Sequence, residues 1–182
     1  MKVGLSIASA SFESDPYVGA QSIIERAREA NQVGLDLLSL GDHHLTPVNY
    51  FQNVPMLGRL LAEWQAGPVG CLFLLPLWNP VLVAEQVGTL AALTKATFVV
   101  QTGVGEGEET FKAMGASMET RGADLEKKIE IIKSLFAKSD SDLQVNPVPT
   151  QKIEWWIGAS TSKEGIRRAA RVGDAWYAAP FL

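Results

Sequence analysis

The feature that most limits what this chain can become is its rhythm: short apolar runs alternate with longer amphipathic stretches along the whole sequence. That rhythm is the mark of repeated strand–helix units and a parallel sheet. The first strand is read at Val3 to Ala8, where Val3, Leu5 and Ile7 alternate with other residues. A helix follows from Ala20 to Gln32, with Ile23, Ile24, Ala27 and Ala30 at helical spacing and Gly34 just past its end. Leu35 to Leu40 is the second strand, and Val54 to Trp64 the second helix, with Pro55 in its first turn. Val69 to Leu75 is continuously apolar, as a strand buried on both faces should be. Pro80 to Leu93 forms the third helix, and Thr97 to Val104, rich in β-branched residues, the fourth strand. A helical turn over Glu108 to Met114 and a long helix over Arg121 to Ala137 come next, then a polar, proline-bearing loop from Ser139 to Thr150. Trp155 to Ile157 begins the fifth strand, Lys163 to Arg171 forms a helix, and Ala175 to Ala178 is the sixth strand.

Such an α/β pattern admits a doubly wound open sheet or a TIM-type (β/α)8 barrel of which about six units are present. A dinucleotide-binding open sheet needs a phosphate loop after its first strand, and SASFESDPY there supplies none. The run Gly103-Val104-Gly105-Glu106-Gly107 comes late and puts Glu108 where the third glycine of the fingerprint should fall. The P-loop pattern is absent. The expected architecture is therefore the barrel, as a single domain over residues 1–182 that is incomplete at its C-terminus. A length of 182 residues suits one well-buried domain and is short for two.

A net charge of −4, from 20 acidic and 16 basic residues, argues against a nucleic-acid partner. Arg167, Arg168 and Arg171 read as a solvated helix face. A lone cysteine, Cys71, excludes a disulfide framework and a cysteine-rich metal site, and no metal is expected. No segment approaches the roughly 20 apolar residues that span a bilayer. The N-terminus reads as a strand rather than a signal peptide. A cytoplasmic chain with no membrane partner is expected. A six-unit parallel sheet leaves two open edges, as expected of a truncated barrel, of a chain whose remaining units are not included, or of a homo-oligomer whose partners cover them; the homo-oligomer is the partner expected.

Three strand ends carry unusual residues, and all fall on the C-terminal rim, where parallel α/β folds place their sites. The first is Gly41-Asp42-His43-His44. Adjacent histidines cannot both point one way, so they do not chelate one metal; either suits proton transfer or anion stabilisation, or simply hydrogen-bonds a loop. The second is Gly70-Cys71-Leu72, whose small residues permit close approach of a flat ligand, against plain packing of Cys71 as a small hydrophobe. The third is Ile157-Gly158-Ala159-Ser160-Thr161-Ser162, leading into a helix N-terminus that suits a phosphate or is an ordinary hydroxyl cap. Of five tryptophans, Trp155, Trp156 and Trp176 read as core, while Trp64 and Trp78 lie near loops and Trp78 is placed to flank a planar ligand.

In their order these pieces resemble the luciferase-like monooxygenase superfamily, which spans bacterial luciferases, other flavin monooxygenases and F420-dependent oxidoreductases. The motifs are Gly34-Leu35-Asp36 leading to Gly41-Asp42-His43-His44, then Leu74-Leu75-Pro76-Leu77-Trp78-Asn79-Pro80 running on to Glu85-Gln86. Next come Gly103 to Gly107, Phe111-Lys112-Ala113-Met114-Gly115 with Arg121-Gly122, Trp156-Ile157-Gly158-Ala159-Ser160, and Arg167 to Trp176. The resemblance implies a TIM barrel with its cofactor at the C-terminal rim, although members usually have eight strands and a longer chain. It implies a non-proline cis peptide near Cys71 and Leu72, beneath a flavin ring. It maps the family's strand-two histidine to His43 or His44, with His44 preferred. It also sets the cofactor phosphate by Gly158, Ala159 and Ser160, with Gly103 and Gly105 admitting the cofactor to the backbone.

The expected function is a flavin-dependent oxidoreductase, a monooxygenase using reduced FMN and dioxygen on a small organic substrate. An F420-dependent hydride transfer is the alternative within the superfamily. A non-catalytic flavin-binding chain is the alternative outside catalysis.

Overall fold

The computed structural model describes residues 1–137 and 144–178. In chain order the elements are β1 (Gly4–Ile7), β2 (Ala10–Ser11), α1 (Pro16–Gln32), β3 (Leu37–Leu40), β4 (Asn49–Tyr50), α2 (Asn53–Leu60) and β5 (Val69–Phe73). They continue with α3 (Pro80–Ala92), β6 (Phe98–Thr102), α4 (Glu108–Ala113), α5 (Arg121–Phe136), β7 (Ile153–Ala159), α6 (Lys163–Val172) and β8 (Ala175–Ala178).

Six parallel strands form one curled sheet in the order β1-β3-β5-β6-β7-β8. Each strand of this sheet lies beside the sheet's next strand in sequence, with β2 and β4 set apart in their own ribbon. A doubly wound sheet reverses its order at a switch point, and this one never does, so the winding is that of a barrel. Within the described residues the sheet ends at β1 and β8, without closure.

Register decides which side chains face the helices. Val69, Cys71 and Phe73 pair with Phe98, Val100 and Thr102 on one face, and Gly70 and Leu72 with Val99 and Gln101 on the other. Of the first set, Val69, Cys71, Phe73, Phe98 and Val100 pack with Leu57, Val83, Val87 and Ile129 from α2, α3 and α5 into one apolar core. The inner face is crowded in a different way: a Cβ on Gly70 would lie 2.9 Å from the Cβ of Ser39.

Two aspartates at strand starts tie neighbouring units together. Asp36 donates its N–H to Val3 O at 2.7 Å and accepts the Val3 N–H on Oδ2 at 2.8 Å. Asp174 repeats the device on Trp155, at 2.8 Å in both directions. Each thereby satisfies backbone groups at the N-terminal end of the preceding strand.

Several expectations shift at their ends. The first helix begins at Pro16 rather than Ala20, because Asp15 caps it by accepting the Tyr17 N–H at 2.8 Å and Pro16 starts it. The second ends at Leu60; the following turn buries Trp64, whose Nε1 donates to Gly67 O at 2.9 Å. β7 is longer than expected at both ends. The antiparallel ribbon of β2 and β4 was not legible, since two-residue strands carry no period. Of the expected loop, residues 139–143 lie outside the described residues, and 144–150 form no helix or strand. Trp155 is buried, but Trp176, read as core, stands 48% exposed on the edge strand β8. No helix among the described residues is long and apolar enough to cross a membrane.

Candidate functional site at the C-terminal rim

At the C-terminal ends of β5, β6 and β7 the inner face opens into a mostly apolar cleft of about 240 Å³. Its walls include Leu72, Leu74, Gly103, Val104, Gly158, Ala159 and Ser160. It shares Val104, Gly158, Ala159 and Ser160 with a second, less apolar cleft of about 610 Å³, lined further by Gly105, Arg121, Ser162 and Arg168. The backbone is bare at the junction for a reason: a Cβ on Gly158 would sit 3.0 Å from Thr102 O of the adjacent strand. The turn after β6 needs Gly105 at φ +70° and Gly107 at φ +92°, a conformation side chains disfavour.

The structure thus brings Leu72, Gly103, Gly105, Gly158, Ala159 and Ser160 together around two adjoining clefts, here called the groove. It places Cys71 elsewhere. The pleat turns its side chain to the helix face, wholly buried, and burial pushes the thiol pKa well up. The peptide expected to be cis near Cys71 and Leu72 is not; among the described residues the cis bond is Asn146–Pro147. A non-proline cis bond costs about 3–4 kcal/mol, and the trans form is the ordinary outcome.

The hydroxyl run before α6 divides its labour. Ser162 is the cap, accepting the Gly165 N–H at 3.3 Å, which leaves Ser160 at the groove. Arg168 is not on a solvated face: its side chain is 12% exposed, and Nε lies 2.9 Å from Glu126 Oε1 on α5. Glu126 also takes Arg171 at 2.6 Å, and these partners hold its carboxyl below the usual range. The wider cleft also carries Glu106, Glu119 and Glu164, so its charge is mixed.

Neither histidine lines the groove; both stand beside it. His43 is exposed, its ring edge-on to Tyr50 with centroids 5.9 Å apart. His44 is buried, its ring 5.5 Å from that of Trp78. What joins this corner to the groove is Asp42, whose side chain is fully buried. Its Oδ2 accepts the Leu74 N–H at 2.8 Å and the Trp78 indole N–H at 2.7 Å, and its Oδ1 lies 3.5 Å from His44 Nε2. Leu74 is itself a groove wall. Burial raises the Asp42 pKa, opposed by the Leu74 and Trp78 donors and then by the two histidines. Burial and the Asp42 charge push Tyr50 up to about 12.

Asp42 was read only as part of a motif, and Asn53 not at all. Asn53, buried at the start of α2, donates Nδ2 to Leu72 O at 2.6 Å and so fixes the end of β5. Trp78, expected to flank a planar ligand, donates its indole N–H to Asp42 and stands edge-on to Phe73 with centroids 5.4 Å apart.

Comparison with known proteins agrees with this architecture. A curated relative, an uncharacterized protein of Mycobacterium tuberculosis, is 33% identical over 112 residues, covering 56% of this chain and 38% of the relative. Among solved structures, apo-MsnO8 matches with TM-score 0.78 and 25% identity over 93% of this chain and 52% of that one. The monooxygenase RslO1 from Streptomyces bottropensis matches with TM-score 0.79 and 17% identity, over 94% of this chain and 57% of its own. The oxygenating constituent of 3,6-diketocamphane monooxygenase from Pseudomonas putida, in complex with FMN, matches with TM-score 0.78 and 14% identity, over 96% and 56%. The chain spans about half the length of these structures. The family described as luciferase-like monooxygenase matches residues 1–182, and the chain belongs to it.

Proposed function

We propose that the groove holds a flavin, FMN, for monooxygenase chemistry on a small organic substrate. One observation carries this reading: an apolar slot for a flat ring and a wider cleft of mixed polarity, walled by Arg121, Ser162 and Arg168 for a phosphate-bearing tail, share Gly158, Ala159 and Ser160. Leu72, Leu74 and Val104 would contact the ring, while Gly103 and Gly158 keep the backbone bare enough for close approach. The Ser160 hydroxyl and the free N–H groups before α6 would receive the phosphate. When bound and reduced, such a cofactor supplies the activation of dioxygen. The chain's own residues bind it, exclude water from the apolar slot and move protons at His44, which Asp42 couples to the Leu74 wall. His43, exposed at the same rim, is the second proton-transfer candidate.

The test is fluorescence titration of the purified chain with FMN and with F420, each oxidised and reduced. Saturable FMN binding is the expected result. Preference for F420 would move the chemistry to hydride transfer, and no binding of either would remove the enzyme reading.

A further inference from the structure

We infer that Asp42 fixes His44 as the Nε2–H tautomer, leaving Nδ1 as the nitrogen that takes up a proton at this rim. Asp42 Oδ2 is already engaged by two N–H donors, from Leu74 and Trp78. Its Oδ1 is buried with no hydrogen-bond partner, and so is His44 Nε2, 3.5 Å away. Two buried polar atoms 3.5 Å apart are costly to leave unpaired, and a small rotation of the His44 ring would pair them. A carboxylate can only accept, so the pair is satisfied when Nε2 carries the hydrogen. Of the ring's two nitrogens only Nε2 is sealed away unpaired; Nδ1 is not. Asp42 is thus a positioning residue, acting through His44. The assignment deepens the role proposed for His44 and rests on that reading for its use in turnover, but it is read without any flavin.

The chain has two histidines, which makes the measurement direct. Two-bond ¹⁵N–¹H correlation spectra of ¹⁵N-labelled protein report the tautomer of each ring, with His43→Gln assigning the signals. The pH is raised until the imidazole signals stop moving. His44 is expected to show about a tenfold or greater excess of Nε2–H over Nδ1–H, equivalent to about 1.4 kcal/mol.

Asp42→Asn sharpens the test. Leu74 and Trp78 both donate, so the amide oxygen must take the Oδ2 position and the NH₂ group must face His44. Nε2 then has to accept, and the tautomer should reverse to Nδ1–H. A wild-type ring that is mainly Nδ1–H or an even mixture would overturn the assignment, and so would an unchanged tautomer in folded Asp42→Asn. If that variant does not fold, the wild-type spectrum decides alone. Failure of the tautomer test leaves FMN binding untouched, and failure of the FMN titration leaves the tautomer standing.

Discussion

Replacing Trp78 by Phe isolates one bond in the Asp42 corner. The indole N–H reaches Asp42 Oδ2 at 2.7 Å, the short distance of a charge-assisted bond, while a phenyl ring keeps most of the packing on Phe73 and His44. Hydrogen bonds to charged groups contribute about 1.5–3 kcal/mol, and the buried carboxylate would keep the Leu74 N–H as its donor on Oδ2. A loss of about 2 kcal/mol follows near neutral pH, or about 4–8 °C in Tm for a chain of this size. The pH dependence gives a second readout. Burial raises the folded pKa of Asp42 above its ordinary 3.8, so the stability gained from its protonation is complete below that value. It is lost as pH rises through the raised folded value. The indole bond favours the ionised form, so its removal lifts the folded value further, and the deficit of Trp78→Phe should grow with pH. Urea unfolding followed by circular dichroism at a pH below 3.8 and at mildly alkaline pH measures both. A deficit under about 0.5 kcal/mol, or one equal at the two pH values, would refute the view of Asp42 as a charged acceptor for the indole.

Two glycines give further tests. Gly158→Ala sets a Cβ 3.0 Å from Thr102 O, and the backbone-entropy gain of about 0.4–1 kcal/mol roughly offsets that contact. Tm should hardly move, whereas the FMN dissociation constant should rise about tenfold by titration; unchanged affinity would put the ring elsewhere. Gly88→Ala in α3 drives a Cβ into Pro147 O, a contact that backbone movement alone can relieve. Overpacking of about 1–3 kcal/mol should outweigh the roughly 1 kcal/mol of helix propensity, and a raised Tm would contradict the packing of residues 144–148 on that helix.

How much of this was legible varies with the range of the interactions. Elements whose burial is written locally were readable, in the unbroken apolar run of Val69 to Phe73 or the helical period of Arg121 to Phe136. The first turn of α1 was missed since its exposed Tyr17 and Val18 follow no apolar period, although Asp15-Pro16 held the start signal. Family motifs were recognised whole, yet their residues do different work. Asp36 and Asp174 tie strand starts at the end opposite the groove, whereas Gly158 and Ser160 face it. Nothing local separates those roles.

The Cys71 expectation shows why. Which of two neighbours faces the groove depends on strand parity, and a continuously apolar strand hides its parity, since both faces are buried. Pairing of Leu72 with the buried Gln101, and of Cys71 with the core residue Val100, settles it only once the sheet exists. Asp42 is the opposite case, with a signal that could have been followed further. A carboxylate at the end of a buried strand needs donors, because an unpaired buried charge is too costly to keep. In a sheet whose neighbours follow chain order, those donors must come from the ends of the adjacent strands. The loop after the next strand offers Trp78, whose indole can only donate. Asking where Asp42 finds its hydrogen bonds would have led from the motif to the tryptophan 36 residues away, and from there to the question of which nitrogen of His44 is left free.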